Sequence, residues 1–375
     1  MKFVSQEKKT PRYQLEQYLS FRNGKKSPDR NLSGEFEVYG SNGQIGRADT
    51  HNATGPSIVI GRVGSYCGSL YYSDSPIWVT DNAIVCEAKD PVETRFWYYA
   101  LNLLRLNERS SGSGQPLLNQ SILRKIEFEP PKREHRIAIA EVLGALDDKI
   151  AANSMKASTA EQLAGVLFDK VSVDLNKIPV SQVLTPILGG TPNRKNPEFW
   201  GGQVHWASAK DVTSAPHSVV ADTEEKITRM ATEQTKAKPL PIGGVIVTAR
   251  GTVGAVARLA LPTSFNQSCY GFSPSELPPG LLYFSILRAA QRAKSLSHGS
   301  VFDTITMKTF DHLFIPDFGE SAEKMEHQIA PLLETVDSSI KENKTLVSMR
   351  DALLPQLMSG KIRVREAEAV VEDVL

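Results

Sequence analysis

Two stretches of the chain place apolar residues at the alternating four- and three-residue spacing of a coiled-coil seam. The second stretch repeats the first at a constant offset in residue number and keeps an asparagine at the same place in the pattern. At ~1.5 Å per residue, each seam needs a helix of roughly 40 Å or more. We therefore predict two long helices that pair antiparallel, one after each half of the chain. The seam positions are Ile139, Leu143, Leu146, Ile150, Asn153, Ala157, Ala160, Ala164 and Leu167 in the first copy and Ile329, Leu333, Val336, Ile340, Asn343, Val347, Arg350, Leu354 and Leu357 in the second.

Asn153 and Asn343 lie near the middle of the two predicted seams. A seam asparagine lowers stability but specifies register, because an apolar partner would leave its amide without a hydrogen bond. We therefore expect the two asparagines to face each other across the helix pair; the alternative is that one or both point to solvent. Arg350 interrupts the second apolar stripe, which predicts looser packing there unless its aliphatic stem covers the seam.

The segments before the two helices also repeat. Short β-branched and aromatic runs separated by glycine and asparagine turns predict strands in residues 31–130 and 202–272. Short strings recur in the same order at a nearly constant separation, such as the glycine-hydroxyl pairs at 64–65 and 251–252; chance similarity of two β-rich halves is the alternative. The chain is therefore predicted to be an α+β protein: two tandem α/β domains separated by two long antiparallel coiled-coil helices, with approximate two-fold symmetry. The predicted segments are residues 1–130 (first domain), 131–171 (first helix), 172–319 (second domain), 320–361 (second helix) and 362–375 (acidic tail).

The overall composition is that of a globular protein. A chain of 375 residues is long enough for two domains, and 41% hydrophobic and 23% charged residues suffice for buried cores and a solvated surface. No run is apolar enough for a signal peptide or a membrane span, so we expect a cytoplasmic protein. The three cysteines share no close spacing, which argues against a disulfide framework or a zinc ribbon.

Charge is balanced overall but clustered locally. The formal net charge of +1 neither indicates nor excludes a nucleic-acid partner, because local clusters set the field that a phosphate meets. Residues 1–30 contain eight Lys or Arg and three Asp or Glu. Residues 366–375 contain four acids and no base, and we expect them to form a solvated tail.

The sequence lacks the common catalytic motifs. It has no Walker A loop, no dinucleotide-binding glycine motif after a strand, no His-Glu-x-x-His and no Gly-x-Ser-x-Gly, and its histidines lack metal-ligand spacing. Residues 196–199, Asn-Pro-Glu-Phe, are similar to the Asn-Pro-Pro-aromatic motif of amino-methyltransferases, but a turn explains them better. Residues 87–89, Glu-Ala-Lys, are weakly similar to part of a nuclease core, and that pattern is common in unrelated proteins. We therefore expect no catalytic residue, metal site or cofactor site in this chain.

Polar, aromatic and basic residues crowd several predicted loops, and their chemistry suits DNA. An arginine beside a glycine-hydroxyl pair can bind a phosphate or read guanine, and side-chain amides can pair with adenine edges. At each position a turn or an internally bonded polar group is an equally good explanation. The candidate DNA-binding residues are Tyr39, Asn42, Arg62, Ser65 and Asn82 in the first half and Trp206, Lys210, Arg250, Thr252, Asn266 and Gln267 in the second.

Five short motifs mark the order of variable unit, long helix, variable unit and long helix. They are Val38-Tyr39-Gly40-Ser41-Asn42-Gly43 with Gly46, Ile60-Gly61-Arg62-Val63-Gly64-Ser65, Leu146-Asp147 with Ile150, Val336-Asp337 with Ile340, and the ending Gln356-Leu357-Met358-Ser359-Gly360-Lys361-Ile362. Each motif is weak alone, and their combined layout is specific. By these motifs and their order, the chain resembles the specificity subunit of Type I restriction-modification enzymes over essentially the full length.

The resemblance implies two target recognition domains, each of which reads one half of a bipartite DNA sequence, while the helix pair fixes the gap between the halves. Because the two variable units differ, it also implies an asymmetric target. It further implies a non-catalytic chain that binds double-stranded DNA and two methyltransferase subunits, which use S-adenosylmethionine, and that restriction subunits using ATP and magnesium can join. Two other classes remain open from the residues. One is that the chain is itself a DNA methyltransferase or nuclease. The other is that it is an adaptor that binds only proteins.

Overall fold

The computed structural model describes residues 13–110, 116–296 and 304–372. Helices and sheets alternate along the chain, and the predicted α+β class is confirmed. Both predicted long helices are present as α3 and α8. The helices are α1 (Thr94–Leu103), α2 (Gln120–Arg124), α3 (Arg133–Ser172), α4 (Val180–Val183), α5 (Ala209–Ser214), α6 (Arg229–Gln234), α7 (Pro279–Leu296), α8 (Ala322–Met358) and α9 (Val364–Glu372).

The strands are short, and the second half has one strand more than the first. In the first half they are β1 (Tyr13–Gln14), β2 (Leu19–Asn23), β3 (Phe36–Gly40), β4 (Gly43–Ala48), β5 (Ser57–Gly61), β6 (Leu70–Ser73), β7 (Ile77–Val79), β8 (Ala83–Ala88) and β9 (Glu127–Phe128). In the second half they are β10 (Lys177–Pro179), β11 (Ile187–Leu188), β12 (Trp200–Ala207), β13 (Val219–Val220), β14 (Glu225–Ile227), β15 (Val245–Thr248), β16 (Val256–Leu259), β17 (Thr263–Phe265), β18 (Cys269–Phe272) and β19 (Phe314–Pro316).

The chain divides into two compact units, and each unit contains part of both long helices. Unit 1 consists of Met1–Lys149 and Leu346–Leu375, and unit 2 consists of Ile150–Thr345. The predicted linear segments instead treated each long helix as separate from the domains. The difference arises because parts of each long helix pack their side chains into a domain core, and those parts therefore belong to that domain.

Unit 1 contains a four-stranded antiparallel sheet in the order β2-β8-β5-β6 and a three-stranded sheet in the order β4-β3-β7. Strands β3 and β7 run parallel, and β3 and β4 form an antiparallel hairpin. The apolar side chains of Val59, Val79 and Val85 are fully buried in one core cluster, and α1 buries Phe96 and Trp97. A short antiparallel pair of β1 and β9 brings the two ends of this domain together.

Unit 2 repeats this plan. Its sheets have the orders β11-β18-β15-β16-β13 and β14-β12-β17, with β12 and β17 parallel, and β10 pairs antiparallel with β19. The core of unit 2 includes Phe168 from α3, Phe284 from α7 and Leu333 from α8. The predicted duplication of strands, helix, strand and long helix is therefore present in the fold.

Within unit 2, the segments of α3 and α8 run antiparallel. Ala157, Ala160 and Val336 share one apolar cluster. Further along α8, the side-chain Nδ2 of Asn343 donates a hydrogen bond to the carbonyl oxygen of Ile150, which lies further back along α3, at 3.2 Å. Residues later in α8 therefore contact residues earlier in α3, as in an antiparallel pair.

Within unit 1, the same antiparallel order holds. Ile139 and Leu357 line one cleft, while Arg350 NH1 donates to Asp147 Oδ1 at 2.7 Å. Arg350 also pairs with Asp351 at 2.8 Å, and its side chain is only 25% exposed. The arginine therefore does not open the seam as its sequence position suggested, because a carboxylate on the facing helix compensates its charge.

The two seam asparagines do not hydrogen-bond to each other. Asn343 Nδ2 donates to Ile150 O and, at 3.1 Å, to Ser154 Oγ, so it lies against the turn of α3 that carries Asn153. Asn153 is 5% exposed and therefore does not point to solvent. Asn153 Nδ2 and Asn343 Oδ1 are buried without a hydrogen-bond partner among the described residues. The expected direct pair is thus replaced by bonds to neighbouring groups, and the role in register stays a prediction.

The C-terminal segment contradicts the predicted solvated tail. Most of it forms α9, in which Ala367 and Val371 are 0% and 4% exposed. These two residues lie four apart, so they share one face of the helix. Arg363 N donates to Glu366 Oε2 at 3.0 Å and caps the start of this helix. The acids line the exposed faces, whereas the small apolar side chains hold the helix against unit 1; residues 373–375 lie outside the described residues.

Candidate nucleic-acid interface

In unit 1, three loops that carry predicted site residues meet at one end of the sheets. They follow β3, follow β5 and precede β8. Ser41 Oγ of the first loop donates to the carbonyl oxygen of Asn82 in the third. Arg62 N of the second loop donates to the same oxygen at 3.0 Å, and Ser69 Oγ donates to Ser41 O at 2.6 Å. The structure therefore brings Tyr39, Asn42, Arg62, Ser65 and Asn82 into one region.

The side chains in this region differ in how free they are. Asn42, Ser65 and Asn82 are exposed. Tyr39 is half-buried and donates to Glu37 Oε2 at 2.9 Å; burial and this carboxylate raise the pKa of the phenol above its ordinary value, so it remains a hydrogen-bond donor. Arg62 NH1 donates to the carbonyl oxygen of Asp81 at 3.4 Å, whereas its Nε is buried without a hydrogen-bond partner in the described part of the chain.

In unit 2, the corresponding loops also meet. Ala249 N donates to Ser268 O at 2.7 Å, which joins the loop that carries Arg250 and Thr252 to the turn that carries Asn266 and Gln267. Asn266 N donates to the carbonyl oxygen of Ala207 at 3.0 Å. That contact places this turn beside the start of α5, where Lys210 lies. The predicted residues of the second half are therefore also brought together.

The side chains of unit 2 are more heavily committed to internal contacts. Arg250 and Thr252 are exposed, and Arg250 forms no hydrogen bond or ion pair with another described residue. Asn266 Oδ1 accepts a hydrogen bond from Ser268 N at 3.1 Å, and Gln267 Oε1 accepts one from Thr191.

Lys210 belongs to the same loops and is exposed. Its Nζ donates to Glu224 Oε2 at 2.9 Å, and that carboxylate raises the pKa of the ammonium group. Its ammonium group is therefore already paired with a carboxylate of the same unit.

Trp206 was predicted to contact DNA, and the structure contradicts this. The side chain is 2% exposed, and its Nε1 donates to the carbonyl oxygen of Gly190 at 2.9 Å. It also packs edge-on against Trp200, with ring centroids 5.1 Å apart. An indole inside the domain is a core residue, because its ring and its N–H are both satisfied by protein groups.

The two candidate arginines do not occupy equivalent positions. Leu118 N donates to Arg62 O at 2.9 Å in unit 1, and Ile305 N donates to Ala249 O at 3.0 Å in unit 2. The two bonds close loops of equal length, and Leu118 and Ile305 lie at the same offset as the repeated glycine-hydroxyl pairs. Ala249 is therefore the counterpart of Arg62, and Arg250 is shifted by one residue, so its side chain leaves the backbone in a different direction.

Two loops beside these sites were not recognised from the sequence. They comprise residues 24–30 in unit 1 and 189–195 in unit 2, and each begins with a glycine that lies against the turn before β8 or β18. The basic cluster of residues 1–30 was the available signal, and Lys25 and Lys26 belong to it. Residues 1–12 of that cluster lie outside the described part of the chain.

The described residues contain no group of three or more His, Cys, Asp or Glu side chains placed to hold a metal ion. Cys67, Cys86 and Cys269 are buried and not disulfide-bonded, and burial raises the pKa of the Cys269 thiol to about 12. In residues 13–110, 116–296 and 304–372, no helix has the length and apolarity needed to cross a membrane.

The sequence pattern of one protein family matches the chain twice. The family is described as the Type I restriction modification DNA specificity domain, and the matches cover residues 13–162 and 173–347. The chain belongs to this family. The two matches contain most of unit 1 and nearly all of unit 2, so the two sets of converging loops belong to two copies of a DNA specificity domain.

Curated relatives in this family are distant. The specificity subunit of the Type I restriction enzyme MjaIX from Methanocaldococcus jannaschii is 27% identical over 181 residues, which are 46% of this chain and 41% of that protein. The HindI specificity subunit from Haemophilus influenzae is 25% identical over 181 residues, or 47% of this chain and 39% of that protein. The chain thus matches about two fifths of the length of these relatives.

A solved structure shares the fold over a greater length. The S subunit of a Type I restriction-modification system from M. genitalium superposes with a TM-score of 0.62 and covers 93% of this chain and 96% of that chain. The sequences are 16% identical, so the likeness concerns the fold. It supports the predicted fold class, in which two α/β domains are each followed by a long helix.

Proposed function

We propose that this chain is the DNA-reading subunit of a Type I restriction-modification complex, in which each unit reads one half of a bipartite, asymmetric target. The observation that carries the proposal is the convergence of candidate loops at equivalent places in both specificity domains. The backbone contacts that form the two sites correspond, whereas the side chains placed there differ. Two different half-sites require different side chains on the same backbone arrangement, because base edges are distinguished by side-chain donors and acceptors.

In this proposal, the amide and guanidinium side chains of the converging loops have different roles. Asn82 in unit 1 and Asn266 with Gln267 in unit 2 carry amides, which can pair with both groups on an adenine edge. Arg62 and Arg250 can bind a phosphate or guanine through their guanidinium groups. Arg250 is the stronger candidate for direct reading, because its guanidinium is free of other described residues, whereas Arg62 already bonds a carbonyl oxygen.

We further propose that catalysis belongs to partner subunits. The chain would bind two methyltransferase subunits that use S-adenosylmethionine, and restriction subunits that use ATP and magnesium would join them in the cytoplasm. The absence of known catalytic motifs from the sequence supports this division. So does the description of the family as a specificity domain.

A face of α3 within unit 2 suits one of these partners. Met155, Leu163 and Val166 are 68%, 48% and 61% exposed. They lie eight and three residues apart, so they form one apolar stripe on the helix. Changing Met155 and Leu163 together to lysine is expected to lower the number of methyltransferase subunits per chain in native mass spectrometry, with the control Glu276→Lys unchanged. An unchanged subunit ratio would show that this face is not used.

The reading function is tested by mapping methylated motifs in cells that express the chain with the methyltransferase from the same genome. The wild type is expected to give one bipartite motif with two different halves. Arg62→Ala should weaken or relax methylation through one half only, and Arg250→Ala through the other, by roughly tenfold or more for a lost base contact. The shift of one residue between the two arginines allows the size of the effects to differ.

Matched controls separate reading from folding. Arg105 in unit 1 and Arg229 in unit 2 are exposed arginines in surface ion pairs and are not among the candidate DNA-binding residues, and their alanine variants should leave the motif unchanged. If Arg62→Ala and Arg250→Ala each reduce methylation equally at both halves, the assignment of one half-site to each unit is wrong. Absence of any bipartite motif would reject the proposed function.

A further inference from the structure

In each unit, a glycine at the start of one loop packs against the turn that carries candidate base-reading amides. These turns are residues 80–82 in unit 1 and 266–268 in unit 2, and we call them the reading turns. Added to Gly24, a Cβ atom would overlap the carbonyl oxygen of Thr80, and added to Gly189 it would overlap that of Asn266. Thr80 and Asn266 lie at equivalent points, in the turns that precede β8 and β18. Each glycine thus permits the chain to approach the reading turn more closely than any other residue would allow. We call residues 24–30 and 189–195 the glycine-anchored loops.

Corresponding backbone hydrogen bonds hold the two loops. The glycine N–H donates to the first residue of the following strand, and the next N–H donates to a carbonyl of the strand before the turn. The bonds are Gly24 N to Ala83 O at 3.0 Å and Lys25 N to Val79 O at 3.0 Å in unit 1, and Gly189 N to Cys269 O at 3.1 Å and Gly190 N to Phe265 O at 2.9 Å in unit 2. The loops therefore keep a fixed place beside the reading turns, although their sequences differ.

In unit 1 the glycine-anchored loop presents free positive charge. Lys25 and Lys26 are exposed, and neither forms an ion pair or side-chain hydrogen bond with another described residue. Arg30 closes the loop and donates from NH1 to the carbonyl oxygen of Ile45 at 2.9 Å. Lys25, Lys26 and Arg30 outnumber the single acid of the loop, Asp29, and neither lysine is ion-paired, so this edge of the domain has a local positive field.

In unit 2 the free charge comes from the end of the loop and from a neighbouring part of the chain. Arg194 is already occupied, because its guanidinium lies 3.9 Å from the ring of Trp200 and NH2 donates to Glu225 Oε2 at 2.8 Å. Lys195 and Lys236 are exposed and have no ion pair with a described residue. Lys236 packs against the loop, since a Cβ added to Gly190 would lie 3.0 Å from the Cβ of Lys236.

We propose that the glycine-anchored loops, with Lys236 packed beside the second one, position the DNA by binding backbone phosphates. The phosphate-binding side chains are those of Lys25 and Lys26 in unit 1 and of Lys195 and Lys236 in unit 2. This inference rests on the proposed function. The chemistry favours phosphate over base contact, because lysine offers a mobile point charge without the planar fork that distinguishes base edges. Both units keep this charge while their reading side chains differ, as a contact independent of sequence requires.

The test measures salt-dependent binding of the full chain, assembled with its methyltransferase, to a duplex that contains the mapped motif and to one that lacks it. Replacing Lys25 and Lys26 together by glutamine should weaken binding to both duplexes roughly tenfold at physiological salt. The slope of log affinity against log salt should become less negative by about 1.8, since each lost phosphate contact contributes ~0.9. The Lys195→Gln and Lys236→Gln pair should behave alike, and the methylated motif should stay the same.

Two further variants keep the result interpretable. Lys25→Arg with Lys26→Arg should restore the slope, because the charge returns. Lys89→Gln removes an exposed lysine just beyond the opposite end of β8 and should leave the slope unchanged. An unchanged slope in the Lys25 and Lys26 pair, or a changed base preference, would overturn the phosphate role. Failure of the proposed function looks different, because the wild type itself would then show no salt-sensitive binding to either duplex.

Discussion

Each unit joins a domain helix to a long helix through one carboxylate, and the two carboxylates come from opposite sides of the junction. In unit 1, Glu93 lies directly before α1 and binds Arg136 of α3, with NH2 to Oε1 at 2.6 Å and Nε to Oε2 at 2.9 Å. In unit 2, Glu326 of α8 accepts hydrogen bonds at the start of α7 from Gly280 N at 2.9 Å and Leu281 N at 3.0 Å. Arg136 and Glu326 occupy equivalent positions in the long helices, because the offset between them is the one that relates the two seams.

This comparison shows what the duplication has kept. A helix start favours a nearby carboxylate, because its free N–H groups carry partial positive charge. Unit 1 supplies the carboxylate from its own domain and lets α3 contribute a cation, whereas unit 2 supplies it from α8. Gly280 makes the second solution possible, since a Cβ there would lie 2.9 Å from Glu326 Oε2. A carboxylate near the start of the domain helix is therefore retained, although the residue that supplies it and the groups that it binds have changed.

The largest expected effect is the difference in the free energy of unfolding between Glu93→Ala in unit 1 and Glu326→Ala in unit 2. Glu93 is 3% exposed and Arg136 is 9% exposed, so Glu93→Ala leaves a buried guanidinium without its partner and should lower the free energy of unfolding by about 4 kcal/mol. Glu326→Ala strands no charge and removes two helix-capping bonds, so its cost should be about 1–2 kcal/mol. Denaturant unfolding followed by helical circular dichroism measures both.

A double variant sharpens the same comparison. Glu93→Gln combined with Arg136→Met should recover much of the stability lost in Glu93→Ala, because it removes the unpaired charge together with its partner. Hydrogen exchange of the α1 amides should follow the loss and the recovery. Equal costs for Glu93→Ala and Glu326→Ala would mean that the two junctions do not differ in the way their charges suggest.

The sequence predicted the features that depend on local periodicity. The predicted helical segments 131–171 and 320–361 agree with α3 and α8 to within three residues at each end. The repeated glycine-hydroxyl pairs marked loops that do converge. It failed where tertiary contacts decide. Trp206 stands among loop-like residues, and only the fold shows its ring inside the domain. In α9 the acidic composition predicted a solvated tail, although two apolar side chains of this helix are buried. No local sequence pattern shows that Gly24 packs against the turn before β8.

A second contrast concerns one acid that both long helices share. Asp147 and Asp337 occupy equivalent positions, each directly after a seam residue. Asp147 accepts hydrogen bonds from Arg350 of α8 and from the hydroxyl of Tyr99. Asp337 pairs instead with Arg258 of β16, whose NH1 donates to it at 2.6 Å. The cation thus comes from the facing helix in unit 1 and from the sheet in unit 2, which explains why an arginine is tolerated in one seam only.

The intermediate effect tests this contrast. Arg258 is 6% exposed, and Arg258→Met should lower the free energy of unfolding by about 3 kcal/mol, less than for a fully buried pair because the Asp337 side chain is 37% exposed. Arg350→Ala should cost about 1–2 kcal/mol, since Asp147 keeps its bond to Tyr99 and the arginine is itself partly hydrated.

Urea unfolding of the two variants gives the comparison, and a partner change checks its cause. Adding Asp337→Asn to Arg258→Met should reduce the loss, because the second change removes the carboxylate charge that the first leaves uncompensated. If Arg350→Ala proves more costly than Arg258→Met, the facing helix rather than the sheet provides the more important counter-charge.

The smallest effect concerns the two seam asparagines, which differ more than their equivalent positions imply. Asn343 Nδ2 has two acceptors on α3, Ile150 O and Ser154 Oγ. Asn153 Nδ2 is buried with no acceptor among the described residues, so it bears a desolvation cost without a compensating bond. Asn153→Leu should therefore raise the free energy of unfolding by about 1 kcal/mol, whereas Asn343→Leu should change it by only a few tenths, since lost bonds offset the gained apolar contact. Thermal and urea unfolding of the two single variants measure the difference. A loss of stability in Asn153→Leu would instead show that the amide of Asn153 is satisfied in solution, and would return the two asparagines to the symmetric pairing that the seam pattern predicts.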